Sequence, residues 1–424
     1  MAIQPTLALI PAAQGSKFYS VLPTNGVGDF DFTRASTATR INSKGLIEEV
    51  ASGVSRLDYT GGGCPHHLLE PQSTNLLTYS EAFDNAYWTK SGSSVTSGFI
   101  SPTGALGAFK LVEGTSNGIH RVGKASFTAN VERTLSVFAK KGERNFISLF
   151  ENNFPTGIIG VIFNLNNGTH YNTYPSYYSN VKIELISNGW YKCSVTMRNG
   201  GLQVPSFGVS SDGLTNSYQG NGTSGVYIYG AQLEQGSYAS SYIPTNGSTV
   251  TRLAESATGS GNAATFNDSE GVLFAEISAL ADDETFRYIT LSDGTTSNRI
   301  IIRYRSSSNL IGGSVIVGGS TVASLSYTSS DITLNSKISI KWKVNDFALW
   351  VDGIERDTDT NGAIFTNNTL NSLKLTNALG TGSFFYGKVK NLTVYNTALT
   401  ALEIETLTSF TSFNEMALNF NYTI

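Results

Sequence analysis

Asp357-Thr-Asp-Thr-Asn-Gly362 is the stretch of this chain best spaced to hold a metal ion. Side-chain oxygens at alternate positions, with glycine at the sixth, match the first half of a calcium loop. The twelfth position is Asn368, so the bidentate carboxylate that closes such loops is missing. Asp357, Asp359 and Asn361 would be the ligands of a low-affinity calcium site. Calcium is the one cofactor the sequence suggests, and none is required. A polar hairpin loop made of turn-forming residues accounts for the same composition.

A second group is His170-Tyr-Asn-Thr-Tyr-Pro-Ser-Tyr-Tyr-Ser179. Sugar rings carry C–H faces that stack on aromatic rings, and a phenol adds a hydrogen-bonding tip. Tyr171, Tyr174, Tyr177 and Tyr178 are therefore the glycan-contact candidates. Packing inside a strand or a subunit interface would explain the same tyrosines. Trp88, Trp190, Trp342 and Trp350 lie in strand-like contexts and are expected in the core.

Hydrolytic chemistry finds little purchase. A retaining glycosidase needs two carboxylates only about 5 Å apart. Of the candidate acids Glu276, Asp282, Asp283 and Glu284, the last three fall in a turn, and Glu234 reads as turn support at the end of a strand. His66 and His67 are adjacent, so on a strand they face opposite ways, and with His120 and His170 they lack zinc spacing. Neither a Gly-x-Ser-x-Gly elbow nor a phosphate loop occurs. The chain reads as a non-enzyme.

The elements that would position these residues are strands. In 424 residues there are 43 glycines and 10 prolines, which favour turns over long helices. Aromatics make up 11%, chiefly 20 Tyr and 23 Phe, a strand-rich composition. Only 14% is charged and the net charge is −4, without a Lys/Arg cluster, so nucleic acid is not an expected partner. Cys64 and Cys193 form no disulfide framework. No apolar run reaches the roughly 18 residues that span a bilayer, so membrane insertion is not expected, and the start lacks the basic region of a signal peptide.

Alternating runs divide the chain. Residues 1–78 read as an extended N-terminal attachment region, 79–256 as one sandwich, 257–265 as a flexible linker, 266–408 as a second sandwich and 409–424 as a tail. The fold class is thus all-β: two antiparallel, jelly-roll-like β-sandwiches behind an extended leader. Asn188-Gly189, Asn345-Asp346 and Asp352-Gly353 supply hairpin turns. Thr400 and Glu403 have capping-box spacing and start a short helix. One phrase occurs twice: Thr33-Arg34 and Thr251-Arg252 each follow an alternating strand.

Two resemblances follow from longer stretches. The hairpin Ile338–Ile354 with Phe384–Leu407 resembles the end of a laminin-G-like, concanavalin-type lectin sandwich. Phe32-Thr-Arg-Ala-Ser-Thr-Ala-Thr-Arg-Ile41 and onward to Val50, Pro71–Leu77, Tyr79–Phe83, Asn188–Cys193 and Ala231–Thr245 resemble phrases of bacteriophage virion proteins. Such proteins are tail fibres, tail-associated proteins and head fibres, with carbohydrate-binding-module-like sandwiches and a laminin-G-like end. The resemblance implies a virion-surface protein that binds host-surface glycans, most simply a tail fibre or receptor-binding protein. A capsid-decorating head fibre, a capsule depolymerase and a bacterial surface lectin are the competing readings. It further implies attachment to other virion proteins through the N-terminal region and a homo-oligomer, with a trimer favoured. Synthesis in the host cytoplasm and release by lysis would fit the missing export signal.

Overall fold

The structure, a computed structural model, describes residues 4–124, 127–129, 131–151, 160–172, 174–197 and 201–409; the strands at 127–129 and 201–203 are described by backbone alone. Within these residues the chain is almost wholly antiparallel β, with one nine-residue helix at Ala401–Ser409.

The first sandwich stacks two six-stranded sheets. One runs Ser93–Ile100, Leu106–Glu113, Gly225–Gln235, Arg133–Lys141, Trp190–Met197, Tyr178–Leu185 in spatial order. The other runs Thr169–Asn172, Val161–Asn164, Phe146–Glu151, Pro205–Ser210, Arg121–Lys124, Trp88–Ser91. Alternate residues turn inward because side chains on a strand switch faces at each step. Leu135, Val137, Ile147, Leu149, Val195 and Phe207 thereby build a common core. The Asn188-Gly189 turn has both residues at positive φ (52° and 76°), as a type I′ hairpin requires.

In the second sandwich a five-stranded sheet, Ser320–Thr328, Leu310–Val317, Arg299–Tyr304, Arg287–Ser292, Ser372–Lys374, faces an eight-stranded one. The latter includes Ile354–Asp359, Phe347–Val351, Ser336–Lys343, Glu270–Ala279 and Gly387–Tyr395. All four tryptophans are buried as expected, Trp342 donating from Nε1 to Asn267 O at 3.1 Å. The terminal helix covers the outer side of this sheet, packing Ile404 and Leu407 on Val272, Phe274, Trp350 and Tyr395.

Two expectations need correction. The leader is not a free extended arm. Leu7–Leu9 pairs with Gly387–Tyr395, register Leu7↔Val394, and His66–Leu69 pairs with that same strand further along, His67↔Val389. Leu7, Leu9 and Phe18 are fully buried; an arm carrying them in water would leave that apolar surface exposed. Nor is 257–265 a flexible linker. Ser256–Thr258 pairs with Phe30–Thr33, Ala257 is fully buried, and Ser260 Oγ donates to Gly28 O at 2.7 Å. Small polar residues here let two backbones approach rather than letting the chain swing. Of the tail expected at 409–424, Ser409 ends the helix and residues 410–424 lie outside the described residues.

Candidate functional site

Segments far apart in sequence meet at a buried ion network between the leader and the end of the first sandwich. The repeated Thr-Arg phrase supplies two of its members, Arg34 and Arg252, and Arg56 is the third guanidinium. Arg34 Nη1 donates to Glu255 Oε1 at 2.7 Å and Arg56 Nε donates to the same oxygen at 2.9 Å. Arg56 Nη2 also pairs with Glu255 Oε2, and it lies 2.9 Å from Glu70 Oε2. Arg252 Nη1 approaches Glu70 Oε2 at 3.3 Å. Ser241 N and Oγ donate to Glu70 at 2.8 and 2.6 Å. Burial pushes the Glu70 carboxyl up, yet Arg252, Arg56 and the Ser241 donors outweigh it and hold it well below the usual carboxylate range. Hydrogen bonds to carboxylate and carbonyl oxygens meet the donors of Arg34 and Arg56, whereas among the described residues no side-chain nitrogen of Arg252 has a hydrogen-bond partner and it contributes through its charge beside Glu70.

Glu70 and Ser241 of this network also line a cleft of about 160 Å³ where leader, first sandwich and second sandwich meet. Phe138, Ile186 and Tyr242 give it an apolar part. Lys182, Glu184 and Lys192 come from the paired strands Tyr178–Leu185 and Trp190–Met197, in register Glu184↔Lys192. Arg40 and Asp58 come from the leader, and Lys388 from the second sandwich. Lys192 Nζ is held by the carbonyls of Ala239 and Ser240 at 3.3 and 2.6 Å. Mixed cations and anions beside an aromatic wall can hydrogen-bond a hydroxyl-rich ring from several sides. The volume is on the scale of cavities that hold a single six-membered ring.

The tyrosine cluster divides. Tyr171, on the outer strand Thr169–Asn172, is 53% exposed and Tyr174 is 43% exposed. Tyr177 and Tyr178 are core residues, 8% and 1% exposed, with their rings edge to face at 4.9 Å. Tyr178 Oη accepts from Glu151 N at 3.0 Å, and burial pushes its phenol up. Tyr177 and Tyr178 are therefore withdrawn as glycan contacts: their ring faces are spent on packing. Pro175 starts a turn that carries the chain from the surface into the core between Tyr174 and Tyr177.

Asp357 and Asp359 lie on the edge strand Ile354–Asp359. Asp357 Oδ2 accepts from Ser326 N at 2.8 Å, and Asp359 Oδ1 accepts from Asn361 N at 3.0 Å. Asp357 thus ties the edge strand to the strand Ser320–Thr328, and Asp359 braces the loop that follows it. Among the described residues no group of three or more His, Cys, Asp or Glu side chains is arranged to hold a metal ion. The other acids are engaged too. Asp283 pairs with Arg287 at 2.6 Å, Glu276 accepts from Asn335 Nδ2 at 2.7 Å, and Glu234 accepts from Ser240 N at 3.0 Å. His66 and His67 are buried at 1% and 0% exposure, His67 stacked on Phe18 with ring centroids 3.9 Å apart.

Sequence reasoning missed the junction. Its members are separated by up to 221 positions, and the doubled Thr-Arg phrase was the one available signal.

No protein-family model and no curated protein matches the chain. Among solved structures it is similar to the CBM40 of the Ruminococcus gnavus IT-sialidase, described as bound to α2,3 sialyllactose: 13% identity, 36% of this chain and 93% of that one, TM-score 0.30. It is similar to the SAP-like pentraxin of Limulus polyphemus, with 14% identity over 34% of this chain and 72% of that one, TM-score 0.29. Mouse laminin α1 domains LG4-5 follow, with 12% identity over 67% of this chain and 88% of that one, TM-score 0.25. The strand pairing itself defines the class: an all-β protein of stacked antiparallel sandwiches.

Proposed function

We propose that this chain is a non-enzymatic virion-surface protein that recognises host-surface glycans, of the tail-fibre or receptor-binding kind. The observation that supports the reading is the junction. Asn75 of the virion-like phrase Pro71–Leu77 donates from Nδ2 to Ile243 O at 2.9 Å, and the phrases Phe32–Val50 and Ala231–Thr245 contribute Arg34 and Ser241 to the buried ion network. There they lock the leader to the sandwiches and wall the mixed-charge cleft. A rigid display body with a small polar cleft suits recognition, and several weak sites gain strength through avidity in a homo-oligomer, with a trimer favoured. In this reading the N-terminal region carries the contacts to other virion proteins.

The test has two arms. Antibody-labelled electron cryomicroscopy of virions should place the chain on the particle surface; its absence from particles would end the virion reading. A glycan array probed with wild type and with the Tyr171→Ala/Tyr174→Ala and Lys182→Ala variants should show binding that these changes weaken. Unchanged binding in both variants would reject the two surfaces. Calcium titration with an Asp359→Ala control decides whether the 357–362 loop takes the ion.

A further inference from the structure

The outer face of the five-stranded sheet carries an uncompensated positive charge that neither the cleft nor the exposed tyrosines use. Ile289, Leu291, Ile300, Ile302 and Val315 point into the core. Their neighbours in sequence must therefore point outward. Register fixes the pattern: Tyr288↔Arg303 and Ser292↔Arg299 on one side, Arg303↔Gly312 and Ile301↔Ser314 on the other. Gly312 leaves the surface low, since a Cβ there would lie 2.9 Å from Arg305 Cδ and 3.2 Å from Arg303 Nε. Arg299, Arg303 and Arg305 thus share one shallow, small-residue face.

Elsewhere Arg34, Arg40, Arg56, Arg144, Arg252 and Arg287 each meet a carboxylate. Among the described residues no carboxylate forms an ion pair with Arg299, Arg303 or Arg305. Arg303 Nη2 donates to Ser314 Oγ at 2.8 Å, and its guanidinium lies 5.6 Å from the Tyr288 ring centre. Arg299 Nε, Arg303 Nε and the hydroxyl of the fully buried Thr290 have no hydrogen-bond partner. Burial lowers the Arg299 pKa against the pull of Tyr288, and the neighbouring Arg303 adds a smaller push in the same direction as burial. Like charges held together over orphaned polar atoms are stabilised when an anion joins them. Phe286, 39% exposed, stands edge to face with Tyr288 at 5.8 Å and extends the face with an aromatic platform.

We propose that this face binds an acidic saccharide, Arg299, Arg303 and Arg305 surrounding its anionic group and Tyr288 with Phe286 lying against its ring. Guanidinium forks pair with carboxylate, sulfate and phosphate alike, so the shared chemistry is a charged group on a sugar. A long polyanion such as duplex nucleic acid is disfavoured by the chain's net charge of −4, which a short ligand largely escapes. The inference stands apart from the cleft, and neither needs the other.

Isothermal titration of the full chain with oligogalacturonate, a heparin-derived tetrasaccharide, a phosphomannose oligosaccharide and a neutral galactan oligosaccharide tests it. At least one charged probe should bind about tenfold or more tighter than the neutral one. Arg299→Ala/Arg303→Ala should lose about tenfold or more of that affinity with an unchanged Tm, because these side chains are only partly buried and break no ion pair. Tyr288→Ala should weaken it, while Lys182→Ala in the cleft should not. The proposal is overturned if no charged probe is preferred, if the double variant binds as wild type, or if a short DNA duplex binds as tightly as the best saccharide.

Discussion

Glu255 joins two arginines and the Glu70 amide, which donates to its Oε2 at 2.9 Å. Removing one partner of a buried ion pair strands the other in low dielectric. Glu255→Gln should therefore destabilise the fold by roughly 3–5 kcal/mol, read as a lower urea midpoint; a change below about 1 kcal/mol would mean the guanidiniums find water instead. Burial lowers the His66 pKa to about 3, against the pull of Asp58, and the His67 pKa likewise to about 3. Each ring stays neutral in the fold, while in the unfolded chain it takes a proton below about pH 6.5. Stability is then complete above that pH and falls as pH drops towards 3, by about 1.4 kcal/mol per unit for each ring. His67→Leu should roughly halve the slope of stability between pH 6.5 and 5 relative to wild type; an identical slope would refute the assignment. At this scale the sequence was partly legible. The tryptophans declared themselves by their strand contexts. Tyr177 did not, since burial depends on where the turn after Pro175 delivers it.

Among the elements, the helix Ala401–Ser409 shows how a local rule survives folding. Thr400 N donates to Glu403 Oε2 at 2.7 Å, Thr400 Oγ1 to the same oxygen at 2.8 Å, and Ile404 N to Thr400 O at 3.0 Å. Thr400→Ala should cost about 1 kcal/mol of stability in thermal or urea unfolding. The strand Leu7–Leu9 is the opposite case. Its partner strand lies near the far end of the chain, so no local pattern announces the pairing. Leu9→Ala should lower stability by roughly 2–5 kcal/mol if the segment is built into the second sandwich, and by almost nothing if it were a detached arm. Strand positions and the I′ turns could be read because alternation and Asn-Gly chemistry act between neighbours. Pairing order, the ordered 256–260 segment and the ion network could not, because they depend on residues brought together only by the completed sheets.

At the scale of the whole molecule, the leader, the strands at 250–258 and both sandwiches form one interlocked body rather than modules on a string. Buried arginines and carboxylates at the junction set their relation, and the surfaces left over differ in character. One is a mixed-charge cleft, one an exposed pair of tyrosines, and one a sheet face of unpaired arginines. A body of this kind presents fixed chemistry to other molecules. The most direct measurement is to pass the intact chain over an array of bacterial surface polysaccharides and assay both retention and released oligosaccharides. Selective retention with every polymer left intact is the predicted result. No retention on any polysaccharide, or steady release of fragments, would contradict the account.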